Sequence, residues 1–483
     1  MLFNSIDFGI FLPIVFIIYW FIVNRNLKLQ NLFVVIASYV FYGWWDWRFL
    51  FLIFFSTLVD YIVGIGLSKQ KNQTKRKWLL LCSIVINLGF LAFFKYYNFF
   101  VDNFVAAFSF FGTDIKAHTL NIILPVGISF YTFQTLSYSI DIYRRKLEPT
   151  TDFIAFSAFV SFFPQLVAGP IERATNLLPQ FYRKRFFDYP KAVDGMKQML
   201  WGLFKKIVIA DNCAELADFA FNNTQGSYGS TLMLGAFFFA FQIYGDFSGY
   251  SDIAIGCARL FGFELKRNFA YPYFARDIAE FWRRWHISLT TWFRDYLYIP
   301  LGGSKGTRWQ TIRNTFIIFL VSGFWHGANW TFLVWGALNA LFFIPLLLTN
   351  KNRRYLDNPA AGRKLPTRRE AVSMLFTFCL STFAWIFFRA TSVEHAYTYI
   401  AGIFSKTLFS IQPLPVMKHA FVTFILLVFF VITEWCGREQ QYAIAQFGKS
   451  WQRPYRWLAY CFIIFLIGMF MQSHVTPFIY FQF

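Results

Sequence analysis

Long apolar runs, repeated from end to end, are what most limits how this chain can fold. They cover residues 8–23, 49–67, 79–94, 231–243, 371–388, 421–432 and 458–471. Several approach the roughly 20 residues that cross a bilayer as helix. A membrane β-barrel would alternate with period two instead. Lipid offers backbone polar groups no partners, so only helices and closed barrels span it. An all-α polytopic integral membrane protein is predicted. Composition agrees: 57% of the 483 residues are hydrophobic and 14% are charged, against roughly 25% charged in soluble domains. The first run lacks a basic segment before it and a small-residue cleavage site after it. It reads as a retained span, not a signal peptide.

The formal net charge is +20, but the basic residues sit in short loops between spans. The positive-inside rule accounts for that better than nucleic-acid binding does. Lys69, Lys71, Lys75, Arg76 and Lys77 place their loop in the cytoplasm, and Arg25 and Lys28 fall on the same side. Residues 112–119 are nearly free of basic side chains and are expected outside. The stretch from Lys266 to Arg313 is basic and is expected as cytoplasmic amphipathic helices. The apolar stretch 314–349 is too long for one ordinary span, and a second basic loop follows it, from Lys351 to Arg369. Both ends then lie in the cytoplasm, so the chain must turn round inside the stretch. Two Gly and an Asn within residues 323–329 mark the place. A helix from Arg313 to His326 climbs about 20 Å, which puts His326 deep in the membrane at the apex of a re-entrant pair. Residues 154–170, with Pro164, Gly169 and Pro170, read as a second broken element.

This gives about ten or eleven spans with one or two re-entrant elements around a central tunnel. Both termini are expected outside. A single membrane-embedded domain is expected, with a core over about residues 1–390 and further spans in 391–483. No internal repeat is visible, which weakens a transporter or flippase reading. The six Cys form no CxxC pair and mostly lie in apolar runs. They read as small buried hydrophobes, with no disulfide and no metal site.

Of six His, two stand out. His286 lies in Glu280-Phe-Trp-Arg-Arg-Trp-His-Ile-Ser288, at the edge of the basic stretch. His326 lies in Ser322-Gly-Phe-Trp-His-Gly-Ala-Asn-Trp330, inside the apolar one. A lone His on an apolar helix is more often a hydrogen-bonded structural residue than a catalyst. An ionisable group at membrane depth is nevertheless costly, and it faces the protein interior for a reason. Trp325 beside His326 and Asn329 three residues on would share its surroundings if the helix continued. Asn329 would then orient the ring or polarise a carbonyl; capping broken backbone at the turn is the alternative. Asp246 and Asp252, in a Gly- and Ser-rich run, either pair with arginines, shape a tunnel, or pack.

The block from Phe281 to His286 is followed by Phe293-Arg-Asp-Tyr-Leu-Tyr-Ile-Pro-Leu-Gly-Gly303. With Gly323 to Trp330, Leu124 to Gln134, Gln165 to Glu172 and Tyr244 to Asp252, it resembles the membrane-bound O-acyltransferase family. The likeness is strongest to the bacterial branch that holds the membrane subunit for alginate O-acetylation, and runs from the first span to about Trp385. It implies acyl transfer, with acetyl favoured, to a hydroxyl of a polysaccharide at the bacterial cytoplasmic membrane. It implies acetyl-coenzyme A or another acyl thioester as co-substrate, with no bound cofactor. It also implies a secreted or periplasmic SGNH-hydrolase-like partner, since no Gly-x-Ser-x-Gly elbow occurs here. In this light His326 is the general base or proton shuttle, and His286 is a second essential imidazole or a purely structural one. Arg283, Arg284, Arg294 and Lys305 either bind the phosphates of the donor or only obey the topology rule.

Overall fold

The computed structural model describes residues 1–110, 119–120, 122–167, 169–412, 417–471 and 478–479. His118, His474 and most of the loop expected outside at 112–119 fall beyond them. The described residues are helical, without a strand. Five helices are long and apolar enough to cross a membrane: Trp47–Lys69, Gln73–Phe110, Trp330–Leu348, Arg368–Arg389 and His419–Cys436. Ile6–Ile22 and Leu27–Gly43 are shorter and also apolar. The polytopic helical membrane fold expected from the apolar runs is what the chain adopts.

The helices group into two compact units, residues 1–192 with 257–265, and residues 193–256 with 266–483. In the first, Asn26 and Asn72 cap the helices that follow them by accepting backbone N–H groups, as short polar side chains do at helix starts. Asp60 is fully buried within Leu50–Lys69. It accepts hydrogen bonds from Ser83 Oγ at 2.5 Å, Ser139 Oγ at 2.7 Å and Asn87 Nδ2 at 2.8 Å. One carboxyl thereby ties together three helices, and Ser56 and Thr135 extend the polar cluster by donating to Asn87 Oδ1. Arg76 belongs to the basic loop that fixes the topology, yet its side chain is buried. It donates to the carbonyls of Leu67, Ile142 and Tyr143, closing the C-terminal ends of two helices.

Residues 126–127 form a turn. Gly127 takes φ 75° just before helix Ile128–Tyr143, a conformation that costs Gly little. A Cβ there would lie 2.5 Å from the Leu166 carbonyl oxygen. The second broken element is real too: helix Phe153–Ser161 stops and only one turn, Phe163–Leu166, follows it.

In the second unit, a helix that reaches Asn222 contains a wide turn at Phe204–Ala210. That turn presents two buried lysines. Lys205 Nζ lies 2.5 Å from Asp252, and Lys206 Nζ lies 2.8 Å from both Asp211 and Asp246. The two aspartates of the Gly- and Ser-rich run therefore pair with lysines, not with the arginines proposed for them.

The stretch expected as amphipathic helices holds only short ones, Ile278–Arg284 and Ile287–Phe293. Next comes a helical hairpin, Arg308–His326 and Trp330–Leu348. Its first arm starts five residues earlier than the charge pattern suggested. Thr307 caps it, with Gln310 reaching back to the Thr307 backbone, a reciprocal pairing that starts helices. Each arm has 19 residues, about 28 Å of helix. Gly323 and Gly336 let the arms touch: a Cβ on either would fall 2.2 Å or 2.4 Å from a carbonyl oxygen of the other arm. Small residues at such crossings are how membrane helices pack without a hydrophobic drive.

Candidate active site

The hairpin turn, Gly327 to Asn329, places His326 at the end of the first arm. Its surroundings are rings. Trp325 lies 4.9 Å away between ring centres, Trp335 5.1 Å and Phe388 5.3 Å, all edge-on. Trp335 stacks in turn on Trp385 at 5.6 Å. His326 is 3% exposed, so it points into protein and not into lipid. Gly327 is needed beside it, since a Cβ there would meet the Phe332 ring at 2.0 Å.

The helix does not continue through residue 329, and Asn329 does not share a face with His326. Its side chain caps the second arm by accepting from Thr331 N–H at 3.0 Å, and it donates to the Thr391 carbonyl at 2.9 Å. The capping alternative describes it.

His286 arrives from elsewhere in the second unit and is 1% exposed. Its backbone has φ 43° and ψ 53° between the two short helices. That left-handed conformation costs a non-glycine residue on the order of 1 kcal/mol or more, and persists only where surrounding structure enforces it. Here Asn268 enforces it. Its carbonyl accepts from Ile287 N–H at 2.8 Å, and its side chain Oδ1 accepts from Ser288 N–H at 3.2 Å and Ser288 Oγ at 2.8 Å. The same Oδ1 lies 3.2 Å from His286 Nδ1.

A backbone N–H can only donate, so the amide atom facing Ser288 is the oxygen. Nδ1 of His286 must then carry the proton, and Nε2 carries the lone pair. Asn268 Nδ2 is anchored at the other end by Ser251 Oγ at 3.2 Å. Phe247 meets the imidazole edge-on at 4.6 Å.

The two imidazoles are 6.5 Å apart between ring centres, with Trp325 at 6.1 Å from His286. That is too far for a direct hydrogen bond between the rings and near enough for both to act on one small group. A cavity of about 10 Å³, lined among others by Lys205, Ser248, Ser251, Asp252 and Asn268, reaches the amide that holds His286.

Two of the arginines expected at the donor, Arg283 and Arg284, are engaged by the protein's own groups. Arg284 donates to Glu280 at 3.0 Å and to the carbonyls of Ala270 and Asp357. Arg283 donates to the carbonyls of Asn352 and Tyr355, both at 2.7 Å. Arg276 binds Glu280 and Asp357 and holds the Asp357 carboxyl below the usual carboxylate range through that hydrogen bond. These three arginines fasten the 352–358 loop to helix Ile278–Arg284. Arg294 is exposed and pairs with Asp295 at 2.7 Å; Lys305 is exposed in the following loop.

Sequence reasoning missed Asn268, whose role depends on a contact across eighteen residues. It also missed the chain's tail. Phe478 is fully buried against Tyr250 at 4.6 Å and Phe247 at 5.5 Å, and Ile479 N–H donates to Asp246 at 2.6 Å. Phe478 thus packs on the same Phe247 that touches His286.

Comparison with known proteins supplies the family. A family model of membrane-bound O-acyltransferases matches residues 143–388, a stretch that contains both histidines. The chain is 41% identical to a probable alginate O-acetylase of Azotobacter vinelandii, over 84% of this chain and 78% of the relative. It is 36% identical to a probable alginate O-acetylase of Pseudomonas putida over the full length of both. The peptidoglycan O-acetyltransferase of Helicobacter pylori is 37% identical over 81% of this chain and 77% of its own length. Matches of that extent, together with two buried imidazoles meeting in the matched segment, place this chain in the membrane-bound O-acyltransferase family.

Proposed function

We propose that this acyltransferase moves an acetyl group from a cytoplasmic thioester, acetyl-coenzyme A, to a hydroxyl presented at the outer face of a bacterial cytoplasmic membrane. The observation that carries this reading is the meeting of two buried imidazoles, His286 and His326, with ring centres 6.5 Å apart among aromatic side chains. The names of the relatives support a polysaccharide or peptidoglycan hydroxyl as final acceptor.

An alcohol is a poor nucleophile near neutral pH, and a positioned imidazole can remove its proton during attack. In the proposed step His326 takes the proton of the acceptor hydroxyl. The alcohol oxygen bonds to the thioester carbonyl carbon, the carbon–sulfur bond breaks, and the departing thiolate takes the proton back from His326. His286, with Nδ1–H committed to Asn268, offers Nε2 as an acceptor. That suits holding the incoming hydroxyl better than donating to the thioester carbonyl. Asp246 and Asp252 support the surrounding helices through Lys206 and Lys205, and Trp325 packs against both imidazoles. Arg294 and Lys305 are the exposed cations suited to phosphates of the donor. Delivery to the polymer itself passes through an SGNH-hydrolase-like partner outside, which accepts the acetyl group on its own hydroxyl.

The test uses purified protein with radiolabelled acetyl-coenzyme A. Thioester hydrolysis or transfer is expected from the wild type, and its loss is expected in a folded His326→Ala variant. Acetylation at the wild-type rate by that variant would remove His326 from the mechanism. Retained transport of an envelope intermediate without any thioester cleavage would favour a flippase instead. Cysteine-accessibility labelling of both termini tests the orientation.

A further inference from the structure

A basic groove in the first unit has no part in the acyl-transfer pocket. It lies where helix Ile6–Ile22 ends against the loop of residues 184–187, and it encloses about 530 Å³. Arg25, Lys184 and Arg185 line it together with Trp20, Phe21 and Phe187, and no Asp or Glu lines it among the described residues. Arg25 and Lys184 are exposed, and among the described residues neither forms an ion pair.

Arg185 adds a second, independent observation. It is buried, yet its acceptors are neutral: Gln30 Oε1 at 3.0 Å, Asn31 Oδ1 at 2.6 Å and the Gln180 carbonyl. The ring of Phe263 covers it at 4.7 Å. A buried cation without a counter-charge raises the positive potential of the groove beside it.

The helix leading to the groove supplies the third. Ile6, Ile10, Ile14, Ile17 and Phe21 form one exposed stripe, each more than half open to the surroundings. Their three- and four-residue spacing puts them on one helix face. The stripe ends at Phe21, which also lines the groove. An apolar track that runs into a cationic basin matches a molecule with acyl chains and an anionic head. That track is the lipid-facing side of an apolar helix, so the basin opens where the headgroup of a lipid lying along the helix would rest.

We propose that this groove is a binding site for an anionic phospholipid, its phosphate on Arg25 and Lys184 beside the buried Arg185 charge, and its acyl chains along the Ile6-to-Phe21 stripe.

The experiment is native mass spectrometry of the full-length protein released from micelles that contain equal phosphatidylglycerol and phosphatidylcholine. One phosphatidylglycerol is expected to remain on the wild type in preference to phosphatidylcholine. Arg25→Gln with Lys184→Gln should weaken that retention about 30-fold, from the loss of two interfacial cations. Phe21→Ser should weaken it as well while leaving charge intact. Both changes are at exposed side chains, and an unchanged melting temperature checks the fold. Equal retention of the two lipids by the wild type overturns the proposal, as does unchanged preference in the double variant. Displacement of phosphatidylglycerol by millimolar inorganic phosphate or coenzyme A would reassign the groove to a free phosphate ligand.

Discussion

The two facing histidines are held in different ways. His286 is gripped by polar groups: an amide at Nδ1, a left-handed backbone and a hydrogen-bonded serine next to it. His326 is boxed by aromatic rings at the tip of a hairpin. Hydrogen bonds fix which nitrogen carries a proton, and ring packing fixes where an imidazole stands. One imidazole therefore has a set tautomer and the other a set position, a division that suits the proposed roles of holding one reactant and shuttling its proton.

The largest expected effect comes from removing the shuttle. His326→Ala should lower kcat about 100- to 10,000-fold, the usual worth of a general base, with the melting temperature little changed. His286→Ala should also cost activity, and His286→Gln, which can still accept at one end, should recover part of it in the same radiolabel assay.

Asn268 separates tautomer from position. Asn268→Leu removes the acceptor that holds Nδ1–H, and a buried hydrogen-bond partner lost is worth about 1–3 kcal/mol, so kcat should fall about 10- to 100-fold. Asn268→Asp is the more telling variant. A carboxylate keeps the acceptor and favours the charged imidazole, which raises the pKa of His286. Activity that needs the neutral ring is then lost at a higher pH as the solution is acidified, so the acid limb of the kcat profile moves upward. A merely structural Asn268 would leave that limb in place.

The smallest effect tests the ring box. Trp335→Phe should leave the tautomer untouched and lower kcat only a few-fold, while calorimetry shows a loss of about 1–3 kcal/mol from the smaller ring. If Trp335→Phe proves as damaging as Asn268→Leu, the division between the two histidines fails.

How much of this could be read beforehand differs between backbone and charge. The apolar runs marked most of the long helices, and the opposed basic loops required a turn between Ser322 and Trp330. His326 was found that way because its depth follows from counting residues. The arm's true start at Arg308 was signalled by Thr307 and Gln310, but the arginines at 308 and 313 assigned its first turn to the preceding basic stretch. Buried cations were the harder case. Arg76, Arg276 and Arg284 look like any loop cations in the sequence, and only tertiary contacts reveal that they close helix ends or fasten a loop. Lys205 and Lys206 precede an apolar run and were passed over, since nothing local announces Asp252, Asp211 and Asp246 as their partners. Asn268 carries no periodicity at all.

The hairpin has a consequence for how the protein is made. Only three residues separate its arms, and the glycine crossing presses them together next to the turn. Such a pair cannot be threaded one arm at a time with a soluble stop between. The arms enter the bilayer jointly, with Arg308 and Lys351 left together at the open end of the pair. The imidazole stands at the opposite, leading end, and Phe388 reaches it, with Trp385 stacked behind Trp335, from a helix that comes later in the chain.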